Sequence, residues 1–377
     1  MANLIADSFD WMPSGASQAD RARLWGANEF FLKDNGGFAA ADVIAGRFGA
    51  GKAFAMYGSL GGFFGSHSGY VVPFTYGGPT AATGFLGAGV YVDSNLPPQC
   101  RPVLGFYDGV TDAMQLCFSF EPNGVIKVFR GPPSSSNTPI ANSVAGAFQE
   151  DQWFHCESNP TIASSGGALE VRINTVPKVQ LVGANTKNTS NAYFDSAFLG
   201  AYTTNNSVGV SSSHPVAFDD LFVNDTTGSQ NNTWSGNLRA YGMFMTANGY
   251  LNNFAIGGSS PASTHWQSVL NQLLDDTKFE FSSTIGDIDS FVPDPVINGP
   301  LVRVLQMRAA LRQDDATQRV ARLGVRIGST NYFGTKDQYT NQTFTFYKDK
   351  FEISPATGVT ATGSEVNGCQ ALVKVQA

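Results

Sequence analysis

Chain breakers constrain this 377-residue chain more than any other feature: Gly, Pro or an Asn/Ser cluster interrupts almost every stretch before a dozen residues accumulate. An amphipathic helix needs roughly ten to twelve uninterrupted residues, whereas a strand of four to eight fits between two turns. The chain therefore reads as short strands. Segments 125–129, 168–173, 178–182, 216–223 and 238–245 have that character, with Pro122-Asn123-Gly124 and Ser165-Gly166-Gly167 as tight turns. Strands this short, spaced by turn signals, predict an antiparallel sandwich. Two short helices are expected as exceptions, one within 17–32 and one over 264–274 with Thr264 as N-cap.

Composition narrows the class of protein further. Charged residues are 14 % of the chain, against about 25 % in ordinary globular domains. Gly (41) is abundant and Phe (29) far outnumbers Trp (5). A hydrophobic content of 42 % is enough to build a packed core and excludes a disordered chain. The formal charge is −7 with no run of Lys or Arg, so a nucleic-acid partner is not expected, because phosphate binding needs a concentrated basic footprint. No membrane insertion is expected either, since no window reaches about 18 consecutive apolar residues, and the N-terminus lacks the basic start and apolar core of an export signal. Cys100, Cys117, Cys156 and Cys369 show no CxxC or His/Cys metal spacing and read as free, buried thiols.

A polar, breaker-rich stretch over 247–264 marks a domain boundary. The expected organisation is a first domain over 1–250, a linker over 251–264 and a second β-rich domain over 265–377. The second domain holds strand signals at 277–282, 319–327, 343–353 and 372–375, and a long alternating segment at 301–312 whose register breaks near Ala309-Ala310.

Four groups of residues carry candidate chemistry. Gly46-Arg47-Phe48-Gly49-Ala50-Gly51-Lys52 fits the spacing of a phosphate-binding loop, but Ala53 offers no hydroxyl for Mg²⁺ and an alternating strand follows, so it reads as a Gly-rich turn. Asp219, Asp220 and Asp225 lead into an oxygen-rich loop and form a candidate Ca²⁺ site; the competing reading is a turn whose Asp and Thr side chains bond their own backbone. His155 beside Cys156 is the natural suspect for a nucleophile and base, yet alternation with Trp153 and Phe154 is what a two-faced strand shows. Tyr70, Tyr76, Tyr91 and Trp234 are candidate ligand-binding residues, as rings that stack on sugars at the edge of a sandwich. No catalytic motif is present and the four histidines (His67, His155, His214, His265) have no motif partners, so the chain is expected not to be an enzyme and to need no cofactor beyond the candidate Ca²⁺.

Several blocks point the same way. Asp7-Ser8-Phe9-Asp10, Gly46-Arg47-Phe48-Gly49 with Lys52-Ala53-Phe54, Trp153-Phe154 to Glu157, residues 168–174 and Val182-Gly183-Ala184-Asn185-Thr186 precede the most specific one, Phe218-Asp219-Asp220-Leu221-Phe222-Val223-Asn224-Asp225 with Gly228 and Asn231-Asn232. Together they resemble a family of tailed-bacteriophage virion proteins that contain a laminin-G/concanavalin-like jelly roll, the last block being similar to its DDxYVxDxxGxxNN signature. Trp266, Asp275-Asp276-Thr277, Gly286-Asp287, Asp289 and Phe291, with 304–315 and 319–327, are similar to the appended C-terminal domain of that family. Ser235-Gly236-Asn237-Leu238-Arg239 departs from the family, which has Leu-Gly-Asp and a Pro-terminated strand there. The resemblance implies an all-β fold, an antiparallel jelly-roll sandwich followed by a smaller β-sandwich-like C-terminal domain. It also implies a structural component of the virion, in the tail at its tip, baseplate, collar or fibre region. Its partners would be other virion proteins and further copies of itself in a homo-oligomer. The alternatives are a capsid-surface decoration protein or a carbohydrate-binding host-adsorption module that reads a host surface glycan.

Overall fold

The structure, a computed structural model, describes residues 3–10, 31–34, 40–49, 52–59, 67–73, 80–96, 100–133, 137–203, 209–210, 216–227, 229–270, 276–296, 301–314 and 319–376. The chain divides into two compact units, Met1–Ala240 and Tyr241–Ala377.

The first unit is built from β1 (Asn3–Asp7), β2 (Phe31–Asp34), β3 (Ala40–Ala45), β4 (Lys52–Ser59), β5 (His67–Pro73), β6 (Gly84–Val92), β7 (Cys100–Asp108) and β8 (Ala113–Glu121). It continues with β9 (Val125–Arg130), β10 (Ala141–Asn142), β11 (Trp153–Thr161), β12 (Gly167–Ile173), β13 (Val176–Ala184), β14 (Ser196–Thr203), β15 (Gly209–Val210) and β16 (Val216–Asp225). One sheet runs β13-β12-β11-β6-β16-β4-β15, with β1 added on β16 and β3 on β4; the other runs β10-β9-β8-β7-β14-β5-β2. The order of both sheets departs from chain order, which is the crossing connectivity of an antiparallel jelly roll. The fold expected from the sequence is the fold observed.

Phenylalanine fills the space between the sheets. Alternation along β8 sends Leu116, Phe118 and Phe120 inward. Phe120 meets Phe154 of β11 at 5.3 Å and Phe148 at 5.5 Å, and Phe54 of β4 stacks on Phe218 of β16 at 6.4 Å. The opposite face of the β7-β8-β14 sheet is buried as well, where Val103, Tyr107, Met114, Cys117, Phe129, Phe198 and Tyr202 form a second cluster. Strands buried on both faces read as apolar runs, which explains the high Phe and low charge content. All four cysteines are free and buried.

The tight turns fall where the sequence places them. Asn123 (φ 60°) and Gly124 (φ 69°) connect β8 to β9, and a Cβ on Gly124 would lie 2.3 Å from the carbonyl oxygen of Phe148. Ala45 pairs opposite Lys52, and Gly46–Gly49, with Gly49 at φ 73°, leave β3 as a turn, while Ala50 and Gly51 of the phosphate-loop-like segment lie outside the described residues. Of the helix expected within 17–32, residues 17–30 lie outside the described residues and Phe31–Asp34 is strand.

The second unit holds β17 (Met245–Asn252), β18 (Ala255–Gly257), α1 (His265–Val269), β19 (Phe279–Phe281), β20 (Ile288–Pro293), β21 (Leu301–Val302) and β22 (Leu305–Leu311). After these come β23 (Val320–Ile327), β24 (Thr330–Phe333), β25 (Gln338–Tyr339), β26 (Thr345–Phe351), β27 (Ala361–Thr362), α2 (Gly363–Asn367) and β28 (Cys369–Gln376). Its main sheet runs β17-β20-β28-β23-β24 with β25 on β23, beside the pairs β18-β19, β21-β27 and β22-β26. Among the described residues no helix is long and apolar enough to cross a membrane.

Three expectations are corrected here. The boundary falls at Ala240/Tyr241, and the stretch 251–264 is no linker: it carries the end of β17, all of β18 and the approach to α1, its breakers serving as turns between short elements. Segment 238–245 is not a strand; only Met245 begins one, because the backbone upstream is tied to side chains of the first sheet rather than to a neighbouring strand. The interruption in 301–312 comes at Arg303-Val304, and β22 pairs with β26 in unbroken register through Ala309 and Ala310. Helix α1 forms with Thr264 extended at its N-cap position (φ −140°) but without a side-chain capping bond.

Candidate ligand-binding site

Several of the residues the sequence singles out for chemistry lie on the β11-β6-β16 sheet, and the structure sorts them into two groups. The first group is consumed internally. A bulge at Asp219–Phe222 in β16, with Asp220 at φ 49°, turns two consecutive carboxylates toward the β3–β4 turn. Asp219 Oδ2 accepts from the Arg47 N–H at 2.8 Å, and Asp220 pairs with Arg47 Nε at 2.9 Å and accepts from the Ala240 N–H at 2.7 Å. Arg47 also donates to the Leu238 carbonyl. Burial pushes both carboxyls above the ordinary range, with Arg47 drawing Asp220 back down. Asp225 stands at the far end of the strand, opposite Gly84 where Asp219 is opposite Gly89, roughly 17 Å along the sheet at 3.4 Å per residue. Its Oδ1 accepts from the N–H and the hydroxyl of Thr227 at 2.9 and 2.8 Å, closing the turn. The three aspartates thus do not converge, and the proposed Ca²⁺ set is not assembled.

His155 and Cys156 face opposite sides of β11, as alternation requires. His155 is 1 % exposed and stacks on Phe222 at 5.8 Å, with burial lowering its pKa to about 3, while burial raises the Cys156 thiol. They form no catalytic pair. Glu157, two residues on, is equally buried and accepts from Ser235 and Gly236 N–H at 2.6 and 3.1 Å; burial pushes it up to about 7. Trp234 is spoken for on two sides, by the Arg172 guanidinium 3.7 Å above its ring and by the edge of Phe85 at 5.3 Å. Tyr70 lies in β5 opposite Leu199, and Tyr76 falls outside the described residues.

Tyr91 belongs to the second group, where the surface is open. It is the penultimate residue of β6 and stands directly opposite Trp153, the first residue of β11. Their chain neighbours Val90 and Phe154 point into the core, so both rings project from the outer face at the end of the sheet. The rings are half-buried, 5.6 Å apart and inclined by 51°. Two carboxylates frame them. Asp93 Oδ1 accepts from the Asn95 N–H at 2.8 Å, and Asp151, held at φ 61°, accepts from the Ser94 N–H at 2.9 Å while its own N–H donates to the Val92 carbonyl at 2.8 Å. These bonds fix the two loops that flank the rings. Burial, with Asp93 and Asp151 nearby, raises the Tyr91 hydroxyl above the usual phenol range, so it remains an O–H donor at neutral pH. Sequence reasoning missed Trp153, Asp93 and Asp151. The signal for Trp153 was its place beside inward Phe154, which makes it the outward partner of Tyr91.

No protein-family model matches the chain, and no curated protein matches it. Solved structures are similar to part of the chain. The alginate lyase Aly36B is similar over 59 % of this chain and 96 % of its own, at 10 % identity and a TM-score of 0.34. The cellulose-induced protein Cip1 covers 58 % and 96 % at 14 % identity and TM-score 0.38, and the carbohydrate-binding module CBM66 from Bacillus subtilis covers 52 % and 96 % at 7 % identity and TM-score 0.32. The fold class, carried by the sheet order of the first unit, is an antiparallel, concanavalin-like jelly roll. The comparisons identify no virion protein. The expectation that the chain is not an enzyme is withdrawn: the structures it is similar to include an alginate lyase beside carbohydrate-binding modules.

Proposed function

We propose that the Met1–Ala240 sandwich binds carbohydrate, with the Tyr91–Trp153 pair as its contact surface. The observation that carries this reading is the pair itself: two adjacent rings displayed at a sheet end, framed by Asp93 and Asp151 on hydrogen-bonded loops. Flat rings pack against the C–H faces of sugar rings, and a few fixed polar groups beside them set orientation. Here Tyr91 supplies a donor and exposed Asp151 accepts sugar hydroxyls, while buried Asp93 holds the loop beside the rings. Negative charge at the site, on a chain of net charge −7, favours neutral or amine-bearing glycans over uronates and sulfated chains.

The proposed setting is the virion of a tailed phage, with the sandwich serving host adsorption and the chain assembling with copies of itself and other virion proteins. The sequence blocks around Phe218–Asp225 support that setting. A glycan array probed with the full chain tests the binding activity: retention on neutral hexose or N-acetylhexosamine glycans is expected, and a uniformly blank array contradicts it.

A further inference from the structure

In the second unit three separate elements bring His265, Glu280 and Asp289 to one point. His265 opens α1, Glu280 is the middle residue of β19 and Asp289 lies in β20. Asp289 is fully buried; its Oδ1 accepts from the Phe254 N–H at 2.7 Å, which leaves Oδ2 aimed at His265 Nδ1, 2.7 Å away. Glu280, with its side chain 4 % exposed, places Oε1 3.1 Å from the same nitrogen. One imidazole nitrogen carries at most one proton. That proton is directed at Asp289, and Glu280 Oε1 is left buried without a hydrogen-bond partner. An acceptor withdrawn from water with no donor is costly, and a cation at this point would satisfy it.

The donor set and spacing identify the kind of cation. One imidazole nitrogen and two carboxylate oxygens lie within 4.8 Å of one another. Ca²⁺ takes six to eight oxygens, whereas a mixed N/O set of three protein ligands with an open fourth position suits Zn²⁺. Tetrahedral zinc, with ligands about 2.0–2.1 Å from the metal, holds neighbouring donors about 3.3 Å apart. The Nδ1–Oε1 distance is near that value, and the Nδ1–Oδ2 distance opens by about half an ångström when a metal replaces the bridging proton. We propose that His265 Nδ1, Glu280 and Asp289 form a Zn²⁺ site, completed by water and steadied by the Phe254 N–H behind Asp289. On binding, three coordinate bonds form, the neutral imidazole passes from the Nδ1–H to the Nε2–H tautomer so that the Nδ1 lone pair can coordinate, and any proton held by the two carboxyls passes to solvent. No local motif announces this site, because its members stand 15 and 9 positions apart in sequence.

The test titrates Zn²⁺ into the chelator-treated full chain by calorimetry and repeats the titration with Co²⁺ while following its visible absorption. One equivalent bound with micromolar or tighter affinity, and the absorption of a four-coordinate N/O cobalt site, are expected. Glu280→Gln, which mimics the neutral acid, and His265→Gln should each weaken binding at least tenfold while circular dichroism stays unchanged. No uptake by the folded wild-type protein, a six-coordinate cobalt spectrum, or uptake that both folded variants retain would overturn the assignment.

Discussion

Glu157 shows how much of this protein's polar chemistry is structural. It sits in the outer face of the first sheet at 1 % exposure, and both its oxygens hold the backbone of Ser235 and Gly236. Burial raises its pKa from the ordinary 4.5 to about 7. A carboxyl that is more readily protonated folded than unfolded contributes stability in full below pH 4.5 and loses it as pH rises through 7. Glu157→Gln, locked neutral, should therefore gain on the wild type between pH 5 and pH 8, by up to about 3 kcal/mol. Urea denaturation at the two pH values measures this, and parallel pH slopes for the two proteins would contradict it. The same distinction limits what the sequence discloses. Asp219-Asp220 stands out as a block, but its partner Arg47 is 172 residues away, so its structural job is invisible locally. Tyr91 reads from sequence as an aromatic beside Gly-rich turns and stands instead inside β6; Trp153 is not legible, because its outward direction depends on where Phe154 packs.

At the scale of elements, β6 is the instructive strand. It reads Gly-Phe-Leu-Gly-Ala-Gly-Val-Tyr-Val, with glycines where a central strand would ordinarily carry β-branched residues. The reason is close approach: a Cβ on Gly87 would lie 2.1 Å from the Phe222 ring, and one on Gly89 would lie 2.9 Å from Arg47 Cδ. These glycines let the covering layer lie against the sheet. Gly87→Val should destabilise the first unit by about 1–3 kcal/mol through overpacking, read as a lower denaturant midpoint; an unchanged midpoint would show that Phe222 can move aside freely. Strands such as β9, β12, β13 and β16 were legible from alternation and flanking turns. Segment 238–245 was not, since its backbone is held by the side chains of Arg47 at Leu238, Asp220 at Ala240 and Asp294 at Phe244, and long-range capture leaves no local pattern. The Arg303-Val304 interruption in 301–312 is likewise set by which strand each half pairs with, β27 or β26.

On the scale of the whole molecule, sequence and structure agree on two β-rich units and differ on where one ends. The first unit has a Phe-rich core between two large sheets; in the second, the larger buried apolar side chains among the described residues are Phe291, Leu323, Val325, Val366 and Leu372. Glycine and asparagine mark turns inside a unit as readily as they mark tethers between units, so composition alone put the boundary ten residues late. The central claim belongs to this scale, because it assigns the chain's contact with the outside to one end of its first sandwich. Calorimetric titration of an array-selected neutral glycan against the full chain and its Trp153→Ala variant tests it most directly. Loss of one stacking ring, worth about 1.4 kcal/mol or more, predicts at least tenfold weaker binding with circular dichroism unchanged. Equal affinity in the folded variant would place the binding surface elsewhere and contradict the account.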